Sequence, residues 1–516
     1  MEKVKILWVD DEIELLKPHI LFLERKGYVL STANNGEDAL DMIDSEVYDI
    51  VFLDENMPGI SGLETLNLIY ENHNIPVVMI TKSEEEYIME EALGSKISDY
   101  LIKPVNPHQI LLSLKKNLDT KRLVNQKVTS NYQKEFREIS MALLDVRSLK
   151  QWVEIYQKLV HWEIELDKID ASGMLEIIEM QKNEANSQFF KYVKSHYKSW
   201  LKDGDETPIL SHTLMKEKVF PNLLINKPNF FLLIDNLRYD QWKILQPIIE
   251  EWFTIDEEST FCSILPTATQ YSRNSIFSGL TPLEISKRFP NLWKNDHEEG
   301  GKNLHEKEFL EDQMQRLGVA KNKMVYHKVV KQQYGEKLLH QFNNLLQNDL
   351  NVIVYNFVDM LSHSKTDMDM IRELAGNDKS YRDLTKTWFK NSSLLEMLKK
   401  IAVSGSRLFL TTDHGTINVG VPSKVIGDKE TSANLRYKSG KRLQYKDKDV
   451  MVMKNPEEYF LPAVNLTSSY IFAKENLYLT YPNNYNHFVK YFRDTYQHGG
   501  ISMEEMICPF IQLSSR

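Results

Sequence analysis

Short apolar runs of strand length recur in two separate stretches of this chain, and they end on polar or acidic side chains. Ile6-Leu7-Trp8-Val9 runs into Asp10-Asp11, Ile50-Val51-Phe52-Leu53 into Asp54, Val77-Val78-Met79-Ile80 into Thr81, and Tyr100-Leu101-Ile102 into Lys103. Far downstream, 230–234 runs into Asp235, 352–358 into Asp359 and 408–412 into Asp413. Such runs, separated by amphipathic stretches, read as strands of parallel α/β sheets. The carboxyl ends of parallel strands share one edge, and ligands bind there. Two sheets are expected, each with its own cluster of polar groups.

A length of 516 residues accommodates two to four domains, and 42% hydrophobic residues suffice for real cores. With 63 basic and 73 acidic side chains the formal charge is −10. That balance excludes a global attraction to nucleic acid or anionic membrane, so a polyanion site must be a local patch. Two cysteines, Cys262 and Cys508, imply no disulfide framework and point to a reducing compartment. There is no signal-peptide pattern at the start and no apolar stretch of the roughly 20 residues that span a bilayer. A cytoplasmic protein that does not enter the membrane is expected.

The alternation predicts a doubly wound parallel sheet over 1–120. The next stretch, 121–205, is almost free of proline and glycine and places apolar residues three and four apart. It reads as a central helical bundle of two to four helices. Gly204, Pro208, Pro221 and Pro228 mark the following boundary. A C-terminal α/β domain is expected over 220–516, with strands at 229–234, 261–265, 323–328, 351–357, 406–411, 468–473 and 508–513. Helices are expected at 239–251, 382–401 and 485–494. The interval 421–460 reads as polar and irregular.

Three carboxylates at one sheet edge offer a Mg2+ site with few protein ligands and room for phosphate oxygens. The joint pattern Val9-Asp10-Asp11-Glu12, Leu53-Asp54, Met57-Pro58, Gly62, Thr81 and Lys103-Pro104 resembles the receiver domain of bacterial response regulators. The resemblance implies that Asp54 accepts a phosphoryl group from a sensor histidine kinase. It further implies that Asp10, Asp11 and Asp54, with the backbone carbonyl of Asn56, hold Mg2+. Phosphorylation adds about −2 charge and three strong acceptors. Thr81 can donate to that group and Lys103 can pair with it. Tyr100 is expected to move with Thr81; its other reading is a half-buried strand aromatic. By the same resemblance, phosphorylation drives homodimerisation through the fourth and fifth receiver helices.

The order of the downstream motifs resembles the alkaline phosphatase superfamily. Pro266-Thr267-Ala268-Thr269 through Ser278-Gly279-Leu280 looks like the nucleophile segment of its nucleotide pyrophosphatases and phosphodiesterases. Asp235-Asn236-Leu237-Arg238-Tyr239-Asp240, Tyr271-Ser272-Arg273-Asn274 and His498-Gly499-Gly500 through Glu504-Glu505 look like the PglZ branch. A receiver fused to such a domain resembles regulators of PorX type, which are associated with type IX protein secretion. The resemblance implies two Zn2+ ions, one held by Asp359, His363 and His498, the other by Asp235, Asp413 and His414. Mixed nitrogen and oxygen donors suit zinc better than Mg2+. A pair of ions about 3.5–4 Å apart can clamp both oxygens of a phosphoryl transfer. Thr269 is the implied nucleophile, forming a phospho-threonine intermediate, with Thr267 as the competitor. Arg273, one helical turn on, could grip a phosphate oxygen; Arg238 is the second candidate, and a structural ion pair is the alternative for both.

Between Asp413-His414 and His498, the segment Arg436-Tyr437-Lys438-Ser439-Gly440-Lys441-Arg442 interleaves cations and aromatics in an acidic protein. Tyrosines can stack on bases while cations hold phosphates, so Arg436, Tyr437, Lys438, Lys441 and Arg442 are candidate substrate contacts. An ordinary solvated loop is the alternative. These features lead to a zinc-dependent phosphodiesterase acting on nucleotides or short oligonucleotides, linear or cyclic, under phosphorylation control. The alternative is a dimeric interaction protein that binds a sigma factor or a secretion component through a catalytically weak or phosphomonoesterase-like metal domain. No helix-turn-helix pattern is present, so direct promoter binding is not expected.

Overall fold

The computed structural model describes residues 4–73, 75–82, 97–169, 172–202, 207–319, 323–428, 430–463, 465 and 467–516. They form two compact units, 1–133 and 134–516, with the boundary inside the helix Pro107–Leu143.

The first unit is a parallel sheet of β1 (Lys5–Val9), β2 (Val29–Ala33), β3 (Ile50–Asp54), β4 (Val77–Thr81) and β5 (Asp99–Ile102). The strand order is β2-β1-β3-β4-β5, so the order reverses between β1 and β3. A doubly wound sheet opens its ligand crevice at that reversal. β1, β3 and β4 are almost wholly buried because both sheet faces are covered. Leu7, Val9, Val51 and Leu53 pack on one face, and Ile6, Trp8, Ile50 and Phe52 on the other. The fourth receiver helix, named above as a dimer contact, lies outside the described residues.

The second unit contains the helices Leu149–Asp167 and Ser172–Trp200 together with everything that follows. Its large sheet is built from β6 (Asn229–Ile234), β7 (Phe253–Cys262), β8 (Met324–Val329), β9 (Leu350–Tyr355), β10 (Arg407–Thr411) and β18 (Ile507–Ser515). Their order is β7-β18-β10-β6-β9-β8. β10, β6, β9 and β8 are mutually parallel, and β18 and β7 add an antiparallel edge. Smaller sheets cover the mouth: β11 (Ile417–Val419) with β17 (Thr495–Gln497), β12 (Val421–Lys424) with β16 (Leu477–Thr480), and β13 (Tyr437–Lys441), β15 (Ser468–Ala473) and β14 (Val450–Met453) in one three-stranded piece.

Three expectations from the sequence change here. The interval read as irregular holds β12, β13 and β14: the first two are short and mostly polar, and the third is a four-residue apolar run set among charged residues, so none shows a clear alternation. The strand placed at 261–265 instead begins at Phe253, and the acidic run Asp256-Glu257-Glu258 hides it because an edge strand tolerates charge. The single helix expected over 382–401 is two, Asp378–Lys390 and Ser393–Val403, with Ser392 capping the second through Leu395 N.

Candidate metal centres

In the first unit, Asp10, Asp11 and Asp54 bring carboxylate oxygens within 4.8 Å of one another at the ends of β1 and β3. Lys103 Nζ reaches Asp10 Oδ2 at 2.9 Å and Asp54 Oδ2 at 3.0 Å. Burial lifts the Asp54 carboxyl above its usual range, against the hydrogen bond and charge of Lys103. Burial disfavours the Lys103 ammonium, yet Asp10 and Asp54 together hold its pKa above the ordinary value. Thr81 is buried at the end of β4 and its hydroxyl donates to Glu55. Tyr100 on β5 is 50% exposed, and Asn56 sits in the turn that leaves β3.

In the second unit, residues far apart in the chain converge at the carboxyl ends of β6, β9 and β10. Asp235 follows β6, Asp413 and His414 follow β10, and Asp359 and His363 lie one helical turn apart on Phe357–Asp367 after β9. His498 directly follows β17. Ligand atoms of Asp235, Asp413 and His414 lie within 4.8 Å of one another, and so do those of Asp359, His363 and His498. The two groups touch: the His414 and His498 rings stack with centroids 4.3 Å apart. Asp235 and Asp413 are fully buried, whereas the His363 side chain is 61% exposed, so the site opens on that side.

The carboxylates are fixed from behind and left free in front. Asp235 Oδ2 accepts from Arg273 Nη1 at 2.9 Å and Asn356 Nδ2 at 2.8 Å. Asp413 Oδ1 accepts from the backbone N–H groups of Asn236 and His414 at 3.2 and 3.1 Å. Asp235 Oδ1, Asp413 Oδ2 and Asp359 Oδ1 are buried with no hydrogen-bond donor. Buried carboxylate oxygens without donors are costly unless a cation takes them. The imidazoles are oriented the same way. His414 Nδ1 faces the Gly415 carbonyl at 3.1 Å and His498 Nδ1 faces the Thr267 carbonyl at 3.2 Å. Each Nδ1 therefore carries the proton and each Nε2 offers a lone pair, the outer-shell arrangement of metal-ligating histidines.

The electrostatics agree. Burial raises the Asp235 and Asp359 carboxyls; at Asp359 the charges of Asp235 and Asp413 add to it, while Arg273 opposes it at both. Burial lowers His414 to about 4, and lowers His498 well below the ordinary imidazole value with help from His414 and His363. Clustered carboxylates that resist ionisation beside neutral imidazoles are a donor set that a divalent cation would reverse. These residues fit a divalent metal pair.

Thr269 is the first residue of the helix Thr269–Ser278, and its hydroxyl lies 3.1 Å from His414 Nε2. Thr267 is fully buried; it donates to the Gly500 carbonyl and accepts from Gly499 N. Its hydroxyl is thus committed to holding the His-Gly-Gly segment. Two glycines are required here. A Cβ on Gly415 would stand 2.0 Å from the Glu504 carbonyl oxygen, and Gly499 has φ +122° against the Tyr437 ring.

The structure revises the reading of the basic segment. Arg436 is fully buried, its guanidinium paired with Glu505 at 2.6 Å. Lys438 is buried and donates to the carbonyls of Ser432 and Ala433. Tyr437 is buried, its ring against Tyr271 and its hydroxyl on Asp296. These three are internal struts, because their charges and hydroxyl already have protein partners. Lys441, paired with Glu430, and Arg442 remain accessible. Arg273 is fully buried, and Asp235, with Glu306 at 3.4 Å and Asp413 at 3.8 Å, surrounds it. In this state it positions metal-facing carboxylates. Arg238 is also buried, on Asp240 and Asp378, the structural ion pair that sequence alone left open.

Comparison with known proteins matches three family models in one chain. Residues 6–115 match the response regulator receiver domain, 122–201 the PorX response regulator linker domain, and 214–513 the BREX system PglZ alkaline phosphatase-like domain. The last covers more than half of the chain. Among similar proteins, the transcriptional regulatory protein ResD of Bacillus subtilis is 34% identical over 113 residues, 22% of this chain and 47% of ResD. The CpxR homolog of Haemophilus influenzae is 39% identical over 113 residues, 22% of this chain and 48% of its own. The matched stretch thus spans about half the length of these relatives. Among solved structures, TrrA from Thermotoga maritima with Mg2+ and BeF is 34% identical, covering 22% of this chain and 99% of its own, at a TM-score of 0.21. A Francisella response regulator receiver domain is 25% identical, covering 23% of this chain and 98% of its own, at a TM-score of 0.22.

Proposed function

The chain belongs to the family of PglZ alkaline phosphatase-like domains, joined to a response regulator receiver domain and a PorX-type linker, and from that premise we propose that it is a phosphorylation-controlled, zinc-dependent phosphodiesterase. Its modules are read as 1–120, 121–205 and 220–516. Nucleotides or short oligonucleotides are the proposed substrates, and regulation of type IX secretion is the proposed role. A receiver domain implies a sensor kinase as partner. Among the described residues, no helix is long and apolar enough to cross a membrane.

The observation that carries this reading is the Thr269 hydroxyl, 3.1 Å from His414 Nε2 and beside buried carboxylate oxygens that lack donors. Asp235, Asp413 and His414 would hold one Zn2+, and Asp359, His363 and His498 the other. When bound, the ions lower the pKa of a coordinated hydroxyl and stabilise the charge that develops on phosphate oxygens. Thr269 Oγ then forms a bond to phosphorus as the bond to the leaving oxygen breaks. Water cleaves the phospho-threonine and restores the hydroxyl. Arg273 keeps Asp235 in place, and Thr267 keeps His498 beside the nucleophile helix. In the receiver, Asp54 is the proposed phosphoacceptor. Mg2+ would sit on Asp10, Asp11, Asp54 and the Asn56 carbonyl, with Thr81, Tyr100 and Lys103 responding to the phosphoryl group.

Hydrolysis of bis-p-nitrophenyl phosphate with zinc tests the reading. Turnover by wild type and none by Thr269→Val is expected. Turnover that survives loss of Thr269 removes the nucleophile. No turnover on any phosphate ester despite bound zinc would instead favour a dimeric binding protein for a sigma factor or secretion component.

A further inference from the structure

Behind the proposed metal ligands lies a partly buried network of charged side chains that the proposed reaction does not use. At its centre is Asp378, the first residue of the helix Asp378–Lys390, with its side chain 25% exposed. One oxygen, Oδ1, accepts from Arg238 Nη1 at 2.9 Å and from the Tyr496 hydroxyl at 2.7 Å. Arg238 stands three residues after Asp235, and Tyr496 stands two before His498. A single carboxylate oxygen therefore ties together chain segments that feed different ligand groups. Lys365, on the helix that carries Asp359 and His363, sets its ammonium 4.3 Å from the Tyr496 ring centroid.

The other oxygen, Oδ2, faces Lys182 Nζ at 3.5 Å. Lys182 belongs to the linker helix Ser172–Trp200, and it is held from its far side by Glu163 of Leu149–Asp167 at 2.6 Å. Arg382, one turn beyond Asp378, binds Glu163 at 2.7 Å and Asp240 at 2.8 Å, closing the network. Lys182 is 14% exposed and Arg382 3% exposed, so these pairs are poorly screened. The surrounding cavity, about 420 Å³, is lined by both linker helices and by the segment that begins the Asp378 helix.

We propose that Lys182 and Glu163, side chains of the linker helices, are positioning residues of the metal centre, acting through Asp378 on the segments that carry Asp235 and His498. Removing the Lys182 ammonium takes away the cation that Glu163, Asp378 and Glu504 share, leaving Arg382 on Glu163 and Arg238 on Asp378. Asp378 then loses its anchor at Oδ2 and shifts, which loosens the placement of Arg238 and Tyr496 together. Metal–ligand bonds of about 2.0–2.2 Å tolerate little displacement, so both ligand groups loosen. The inference rests on the reading that the two ligand groups hold divalent cations.

The test loads the full chain with Co2+ alone, whose visible absorption reports ligand number and geometry. Wild type is expected to bind two equivalents. Lys182→Met should weaken both by about 10- to 100-fold and alter the spectrum, while Lys182→Arg should keep both near wild type. Tyr496→Phe retains the ring and removes only the donor to Asp378; it should weaken the equivalent held by Asp359, His363 and His498 and spare the other. Wild-type affinities and spectrum in folded Lys182→Met overturn the proposal. Should that variant fail to fold, unchanged Co2+ binding in Tyr496→Phe, or in Lys182→Met/Glu163→Gln, overturns it equally. A wild-type chain that binds no Co2+ overturns the metal reading itself, and this inference with it.

Discussion

The two polar edges of this protein start from the same device and end in different chemistry. Both gather acidic groups at the carboxyl ends of parallel strands. In the receiver the cluster is all carboxylate, and an amine sits inside it: Lys103 contacts Asp10 and Asp54 directly. In the second unit the cation stays behind the cluster: Arg273 takes the rear oxygen of Asp235, and the front oxygens stay bare beside two neutral imidazoles. An all-oxygen set with an amine that can change partner suits a weakly held Mg2+ arriving with a phosphoryl group. A buried nitrogen and oxygen set, anchored before the ion arrives, suits a tightly held zinc. On the proposed reading, where the protein places its own cation would separate a transient site from a resident one.

Several changes would break or sharpen that contrast. The largest effect is expected from Thr269→Val, which should lower diester turnover by on the order of 10³ or more while leaving receiver phosphorylation intact. Steady-state kinetics and acetyl-phosphate labelling check the two halves. A zinc-selective chelator in excess Mg2+ should come next, with losses of about 10²-fold or more in turnover and none in labelling. Equal loss of both activities would erase the distinction between the two edges. Arg273→Lys should cost about 10- to 100-fold in zinc affinity, measured by competition with a chromophoric chelator, because a planar guanidinium that faces Asp235, Glu306 and Asp413 at once becomes a point charge. Beryllofluoride is expected to dimerise wild type in size exclusion, and Asp54→Ala should abolish both that shift and labelling, yet change zinc content by less than about twofold.

The smallest effect concerns stability. Burial lowers the Lys438 ammonium to about 7, with Asp296 opposing it. The unfolded chain then binds the proton more tightly, so stability rises as pH climbs from 7 toward 10.5 and is flat below 7. Thermal melts of wild type minus Lys438→Met should show that rise, on the order of a few kcal/mol at most. A flat difference would mean that water reaches the ammonium.

The clustered carboxylates were legible in the sequence because Asp235, Asp359, Asp413 and Asp54 each follow an apolar run and strand ends dictate position, whereas His363 and His498 follow none and came from the family resemblance alone. Asp235, Asp413 and Asp54 could be named without knowing any contact. What lay outside reach were partners set by tertiary packing. Arg436 reads as an exposed cation until Glu505, 69 residues on, is seen against it. Asp378 carries no motif, and its link to Lys182 spans 196 residues. The strands of 421–460 escaped notice because four- and five-residue strands, two of them mostly polar and the third a brief apolar run, carry almost no periodic signal. Charge announces itself in a sequence; burial of charge does not.

The place of β18 bears on how the molecule is made. This strand, residues 507–515, lies between β7 and β10, and it alone among the described strands of the large sheet pairs along β7. As the nascent chain leaves the ribosome, β7 is complete by residue 262 but waits for a partner until the last strand emerges. For that whole interval Asp256, Glu257 and Glu258 keep an orphan edge charged and averse to self-association. Neutralising Asp256, whose one side-chain partner is the Ser514 hydroxyl, should therefore lower the yield of soluble product.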